Sequence, residues 1–183
     1  RIVDEQMQEV AHDGETMGEL VVRTPWLTGG YVNDPTATAE LWHGGYLHTR
    51  DIATIDQQGV VQIRDRLKDV IKTGGEWISS LLLEDLIGRH ADVGEVAVIG
   101  IADDRWGERP VAVVVARAAT VDHLDAAALR QHLAAFVLAG QIPKYAVPER
   151  FEFVASIPKT SVGKIDKKHL RAMLNSNVSP SAN

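Results

Sequence analysis

The stretch Arg64-Asp-Arg-Leu-Lys-Asp-Val-Ile-Lys-Thr-Gly-Gly-Glu-Trp77 constrains this chain more than any other. Charged residues alternate with apolar ones, and two glycines then interrupt before a short hydrophobic run begins. Asp65, Arg66, Lys68, Asp69 and Lys72 are too many charges for a core segment of this length, whereas Val70 and Ile71 have the character of buried residues. Both demands are met if the stretch crosses between two packed bodies. Gly74 and Gly75 permit positive φ, or the close approach of another backbone or a ligand. On these grounds the stretch is expected to be a hinge beside a site for a phosphate-rich ligand. A solvated strand-turn-strand satisfies the charge pattern equally well.

At 183 residues the chain has room for one ordinary domain or two small ones. Apolar residues make up 45%, enough for a sizeable core. The formal charge of −6 argues against a general nucleic-acid binder, although it leaves room for a local basic site. The sequence has no cysteine, so disulfides and thiolate metal sites are excluded, which suits a cytoplasmic protein. No run approaches the ~18 uninterrupted apolar residues of a membrane span. The first residues, Arg-Ile-Val-Asp-Glu-Gln, lack the layout of a signal peptide. They also start without methionine, which fits a piece cut from something longer.

In chain order, residues 1–17 are polar and weakly patterned. Gly18 to Arg23 reads as a strand ended by Thr24-Pro25, because proline cannot donate to a ladder. Asn33 or Asp34 can cap a short helix through Trp42, with Pro35 in its first turn and Gly44-Gly45 breaking it. Tyr46–His48, Ile52–Ile55 and Val60–Arg64 read as strands, the last two joined by a hairpin loop ending in Gly59. Residues 1–64 are thus expected to be mainly β, a partial barrel.

Beyond the hinge, Ser79 or Ser80 can cap a helix to about His90 that presents Leu82, Leu83, Leu86 and Ile87. Val93–Ile101 and Pro110–Ala116 read as largely buried strands. Asp125 caps a helix to about Val137, Arg150–Val154 alternates as a half-buried strand, and Lys167–Leu174 closes the chain as a helix. Residues 65–175 are expected to form a small α+β domain, with residues 176–183 a disordered tail.

Four stretches stand in order: Tyr46-Leu-His-Thr-Arg-Asp51, the run Asp65 to Ser80, Trp106-Gly-Glu-Arg-Pro110 and Pro158-Lys-Thr-Ser-Val-Gly-Lys164. Together they resemble the fatty acyl-CoA synthetases of the adenylate-forming superfamily, over roughly residues 18 to 175. That superfamily also includes luciferases and peptide-synthetase adenylation domains. Only the C-terminal third of the family's chain is resembled. The resemblance implies the last β-rich part of a large adenylation domain in residues 1–64 and a mobile C-terminal domain in 65–175.

Each motif has an ordinary reading beside the one the resemblance implies. Lys164 follows a glycine in a small, polar loop that can extend a point charge toward phosphate or carboxylate, although an exposed loop lysine is the commoner use of such a residue. The spacing of a phosphate-binding P-loop is absent. The resemblance implies that Lys164 bridges the α-phosphate and the substrate carboxylate during adenylation. Asp51 can accept from two vicinal hydroxyls or can be a plain strand-edge carboxylate. By resemblance it holds the ribose of ATP, assisted by Arg66, with Arg50 standing where the family usually has glycine. Lys68 matches the family's pivot, and Lys72 matches a lysine that meets the carboxylate or adenylate after rotation; a solvated lysine is the ordinary reading of both. By resemblance Gly74 and Gly75 lie where the pantetheine arm passes beside backbone, a plain turn being their ordinary reading. Glu76-Trp77 is common among fatty acyl ligases and marks Trp77 as a subfamily residue, with core packing as the competing explanation. The resemblance places Glu108 near the active-site face, where the residues alone suggest a strand-end ion pair.

The seven histidines form no ligand-like cluster along the chain, so no metal site of the protein's own is expected. Magnesium would come with ATP. The parent implied by the resemblance is an AMP-forming ligase that activates medium- or long-chain fatty acids with ATP and passes them to coenzyme A. These 183 residues alone are expected to be inactive. Two alternatives stay open: transfer to a carrier-protein phosphopantetheine, and a non-catalytic regulatory or binding module, for instance through acylation of Lys164. An apolar face left uncovered on residues 1–64 would favour a homo-oligomer.

Overall fold

A computed structural model describes residues 1–118 and 123–176 of an α+β protein. The chain divides into two compact units, Arg1–Lys68 and Asp69–Asn183.

The first unit is an antiparallel sheet in the order β1 (Ile2–Val3), β2 (Gly18–Val22), β3 (Leu47–Ile55) and β4 (Val61–Arg66). It is open: among the described residues no pairing joins β4 back to β1. Val21, Ile52 and Ala53 are buried at its centre, and Ile2 and Val3 close one edge. The helix α1 (Pro35–Leu41) starts where Asp34 accepts a hydrogen bond from the Ala37 amide at 2.9 Å. The loop from β3 to β4 is fixed by Asp56, whose Oδ1 accepts from the amides of Gln58 and Val60.

Three features depart from the sequence reading. Residues 1–17 contain a buried two-residue strand. The two strands expected at 46–48 and 52–55 are one, β3, running through residues 49–51. And β4 continues to Arg66, so that Asp65, counted above as too charged for a core, is 1% exposed.

The second unit is a five-stranded sheet: β6 (Glu76–Ile78), β5 (Ile71–Thr73), β8 (Gly107–Ala116) and β7 (Val93–Asp103), with β9 (Arg150–Phe153) parallel to β8. One face packs on α2 (Ser80–Gly88) and α3 (Ala126–Leu138) through Leu83, Leu86, Leu129 and Leu133. The other packs on α4 (Lys167–Ser176) through Leu170 and Leu174. Ser79 caps α2 and Asp125 caps α3 by accepting from the Leu82 and Ala128 amides. The tail expected to be disordered lies outside the described residues from 177 on; Ser176 still belongs to α4.

Leu133 is wholly buried and Leu138, on the same helix, is 89% exposed. Leu133→Ala is expected to lower unfolding stability by about 2–5 kcal/mol, and Leu138→Ala to stay within about 0.5 kcal/mol. Urea denaturation followed by circular dichroism checks both.

Candidate functional site

In the first unit the candidate residues gather at a kink in β3. Arg50 has φ +62°, a left-handed conformation that costs a side chain roughly 1–2 kcal/mol. The kink is held from both sides. The Arg50 amide donates to Glu19 Oε1 at 3.1 Å, and its carbonyl accepts from the Leu67 amide at 2.9 Å. The other oxygen of Glu19 meets His48 Nδ1 at 2.8 Å, with both side chains largely buried. The Arg50 guanidinium pairs with Glu40 of α1 at 3.1 Å. Next to the kink, Asp51 and Arg66 are cross-strand partners, and Arg66 Nε lies 3.0 Å from Asp51 Oδ1. The two residues implied at the ribose are thus paired with each other.

In the second unit six candidates meet on one hairpin and the turn that supports it. The β5–β6 turn is Gly74-Gly75, with φ of +60° and +91°, the sign that a two-residue turn of the primed kind demands. This is the strand-turn-strand that the charge pattern allowed. The Gly74 amide donates to the Trp106 carbonyl at 2.7 Å, and a Cβ at Gly74 would stand 3.2 Å from the Trp106 ring. Trp106 in turn carries the Arg105 guanidinium 4.7 Å from its ring centre. Lys72 and Trp77 face each other across the hairpin, Lys72 exposed and Trp77 half-buried.

Glu108 ties this hairpin to β8. Its Oε2 accepts from the Lys72 amide at 3.0 Å and its carbonyl from the Thr73 hydroxyl at 2.7 Å. Gly100 makes room, since a Cβ there would stand 2.9 Å from the same carboxylate oxygen. The strand-end ion pair suggested for Glu108 belongs instead to Arg109, which pairs with Glu149. Beside Glu76 lies Tyr145, whose phenol is pushed above its ordinary range by burial and then by the Glu76 charge.

Lys164 sits apart from the hairpin, on a tight loop. The Gly163 amide donates to the Thr160 carbonyl, and the Thr160 amide to the Lys164 carbonyl at 2.7 Å, while Lys159 and Ile165 bridge its base. The side chain is exposed and has no ion-pair partner among the described residues. Its flanks are paired: Lys159 with Glu95 at 2.9 Å, and Lys167 with Glu84 at 2.7 Å.

Lys68 is exposed at the end of the first unit, one residue past the Leu67–Arg50 bond. One residue further, Asp69 is held in the second unit by Arg171 at 3.1 Å. Sequence reasoning missed Glu19, Trp106, Lys167 and Arg171. Trp106 stood in a quoted motif, but its use as a lid on Gly74 depends on a contact across 32 positions. Of the histidines, His90 and His132 come to 5.1 Å ring to ring. Among the described residues no group of three or more His, Asp or Glu is placed to hold a metal, and no helix is long and apolar enough to cross a membrane.

Residues 82–164, a stretch of the second unit that ends on the exposed loop lysine, match the family of AMP-binding enzyme C-terminal domains. Among curated relatives the chain is similar to the long-chain-fatty-acid–CoA ligase of Thermus thermophilus, 42% identical over 93% of this chain and 30% of the relative. It is also similar to the 3-methylmercaptopropionyl-CoA ligase of Ruegeria lacuscaerulensis, 39% identical with the same coverage. The chain therefore spans about 30% of the length of these relatives. Its fold matches ATP-bound MatB from Rhodopseudomonas palustris with a TM-score of 0.79 and 29% identity, over 98% of this chain and 34% of that one.

Gly74→Ala is expected to destabilise the second unit by about 1–2 kcal/mol, and by less when Trp106→Ala is already present; denaturation of the four-member cycle measures the coupling. Glu76→Gln is expected to lower the Tyr145 titration toward the ordinary phenol value, leaving the shift due to burial. Absorbance titration of phenolate, with Tyr145→Phe to assign it among the three tyrosines, checks this.

Proposed function

We propose that these residues are the C-terminal portion of an ATP-dependent acyl-CoA synthetase that activates medium- or long-chain fatty acids. The observation that supports this most is Lys164, an exposed cation with no ion-pair partner among the described residues, on a loop whose flanking lysines are both paired. A charge left uncompensated at a braced position is available to an anionic ligand.

In the first half-reaction a carboxylate oxygen attacks the α-phosphorus of ATP. The bond to the β-phosphate breaks and pyrophosphate leaves with the electron pair. Lys164 offsets the charge on the pentavalent phosphorus and orients the carboxylate. Asp51 takes the ribose hydroxyls through Oδ2 while Oδ1 stays on Arg66. In the second half-reaction the coenzyme A thiolate attacks the acyl carbonyl and AMP leaves. Lys68 is the pivot between the two. The hairpin Gly74, Gly75, Glu76 and Trp77 then forms the face that the pantetheine passes, with Lys72 toward the adenylate and Glu108 holding the hairpin in shape. Magnesium would arrive on the ATP phosphates, since among the described residues no cluster is placed to hold it.

The fatty acyl assignment draws on the Thermus thermophilus relative, and coenzyme A as acceptor on both curated ligases. The 183 residues alone are proposed to lack ligase activity. In the full-length protein, Lys164→Ala is expected to lower fatty-acid-dependent ATP–pyrophosphate exchange by about 100-fold or more, while thioester formation from preformed acyl-adenylate persists. Undiminished exchange overturns the reading. Acceptance of a carrier-protein phosphopantetheine in place of free coenzyme A overturns its second half.

A further inference from the structure

The helix α4 begins three residues after Lys164 and carries two cations one turn apart, Lys167 and Arg171, on the same face. Lys167 Nζ lies 2.7 Å from Glu84 Oε1 and 2.7 Å from Ser80 Oγ. The two charged side chains are only 11% and 15% exposed. Glu84 Oε1 also accepts from the Val98 amide at 2.8 Å, on the outer edge of β7. Arg171 holds Asp69 Oδ1 at 3.1 Å, and Asp69 is the residue next to Lys68. On its inner side α4 is seated by Leu170 and Leu174, 3% and 8% exposed. Its start is fixed by Asp166, whose Oδ1 accepts from the His169 amide and whose own amide donates to Pro158.

An unbroken run of fixed contacts therefore leads from the backbone of Lys164 through α4 to Asp69. We infer that α4 is a strut that sets the position of Lys164 relative to the pivot, with Lys167 and Arg171 as positioning residues for the adenylation half-reaction. The inference rests on the proposed roles of Lys164 and Lys68. Neither positioning residue touches substrate. A largely buried ion pair is a poor source of net stability, because desolvation offsets most of the attraction. It is a good source of fixed geometry, since each partner has one low-energy place to be. Rotation about Lys68 moves everything rigidly attached to Asp69, and the strut makes Lys164 part of that body. Without it the lysine arrives displaced, and a misplacement of about 1 Å can cost on the order of 100-fold in rate.

The test uses the full-length protein with Lys167→Met, Arg171→Gln and Asp69→Asn, each alone and combined with Lys164→Ala. Pyrophosphate exchange is measured beside thioester formation from preformed acyl-adenylate, with the melting temperature of each variant. Each single variant is expected to lower exchange by about tenfold or more and to change the thioester step by less than about threefold. With Lys164 already alanine, each is expected to cost exchange nothing further, because the group being positioned is gone. Asp69→Asn should match Arg171→Gln, which breaks the same pair. If Lys164→Ala lowers exchange but these variants leave it intact, the strut is refuted. If they lower both half-reactions alike, or their effects add fully to that of Lys164→Ala, they act on folding alone and the strut is again refuted. If Lys164→Ala itself leaves exchange unchanged, the functional reading beneath the inference fails instead.

Discussion

The second unit depends on the antiparallel ladder between β7 and β8, because both faces of that ladder are apolar. Val98, Ala112 and Val114 belong to the core under α2 and α3, whereas Ala97, Ile99, Val111 and Val113 belong to the core under α4. Successive residues on a strand face opposite ways, so a slip of one residue would exchange the two cores. With helices on both faces, that slip has no place to go. The ladder's fixed register carries its end with it, where Gly107 pairs with Thr73 and Glu108 reaches the Lys72 amide. The hairpin is thus tied to the end of that ladder as well as held by the pairing of its own three-residue strands.

Arg50 gives the first unit a comparable constraint. The φ of +62° suits glycine, the residue the family resemblance leads one to expect there. Arginine persists because its amide, carbonyl and guanidinium all find partners: Glu19, Leu67 and Glu40. The side chain is spent on α1. Among the described residues its ion pair is with Glu40, while Asp51 pairs with Arg66. The departure from glycine costs backbone strain, roughly 1–2 kcal/mol before these partners are counted, and leaves the neighbouring carboxylate paired as β-sheet register dictates.

What the sequence made legible was local. Asp34, Ser79 and Asp125 each cap the helix expected of them, since a cap needs only a side chain within three residues of the amide it accepts from. The long apolar runs of β7 and β8 announced burial on both faces. Strand β1 was invisible because two residues cannot show a period, and the continuity of β3 was hidden by Thr49-Arg50-Asp51, whose polarity imitates a loop. Asp65 read as surface because burial of a carboxylate depends on partners elsewhere, and its 1% exposure is set by the sheet around it. The candidate hairpin was readable from its glycines. The pairs Lys167–Glu84 and Arg171–Asp69, 83 and 102 positions apart, were not readable, because charge alone does not say which partner a lysine meets.

The distribution of lysines around the 159–167 loop carries the last step. Lys159 and Lys167 meet carboxylates at 2.9 Å and 2.7 Å, and between them Lys164 meets none among the described residues. Had the loop served only to turn the chain, three cations within nine residues would repel one another with nothing gained. Pairing the outer two offsets part of their field, so the middle charge meets less repulsion from its neighbours. Glycine at 163 and the bond from Thr160 to the Lys164 carbonyl hold the backbone without engaging the ammonium group. The backbone that carries Lys164 is thus fixed while its ammonium group stays free to meet an anion, and the entropy of the flexible stem is lost only on that encounter.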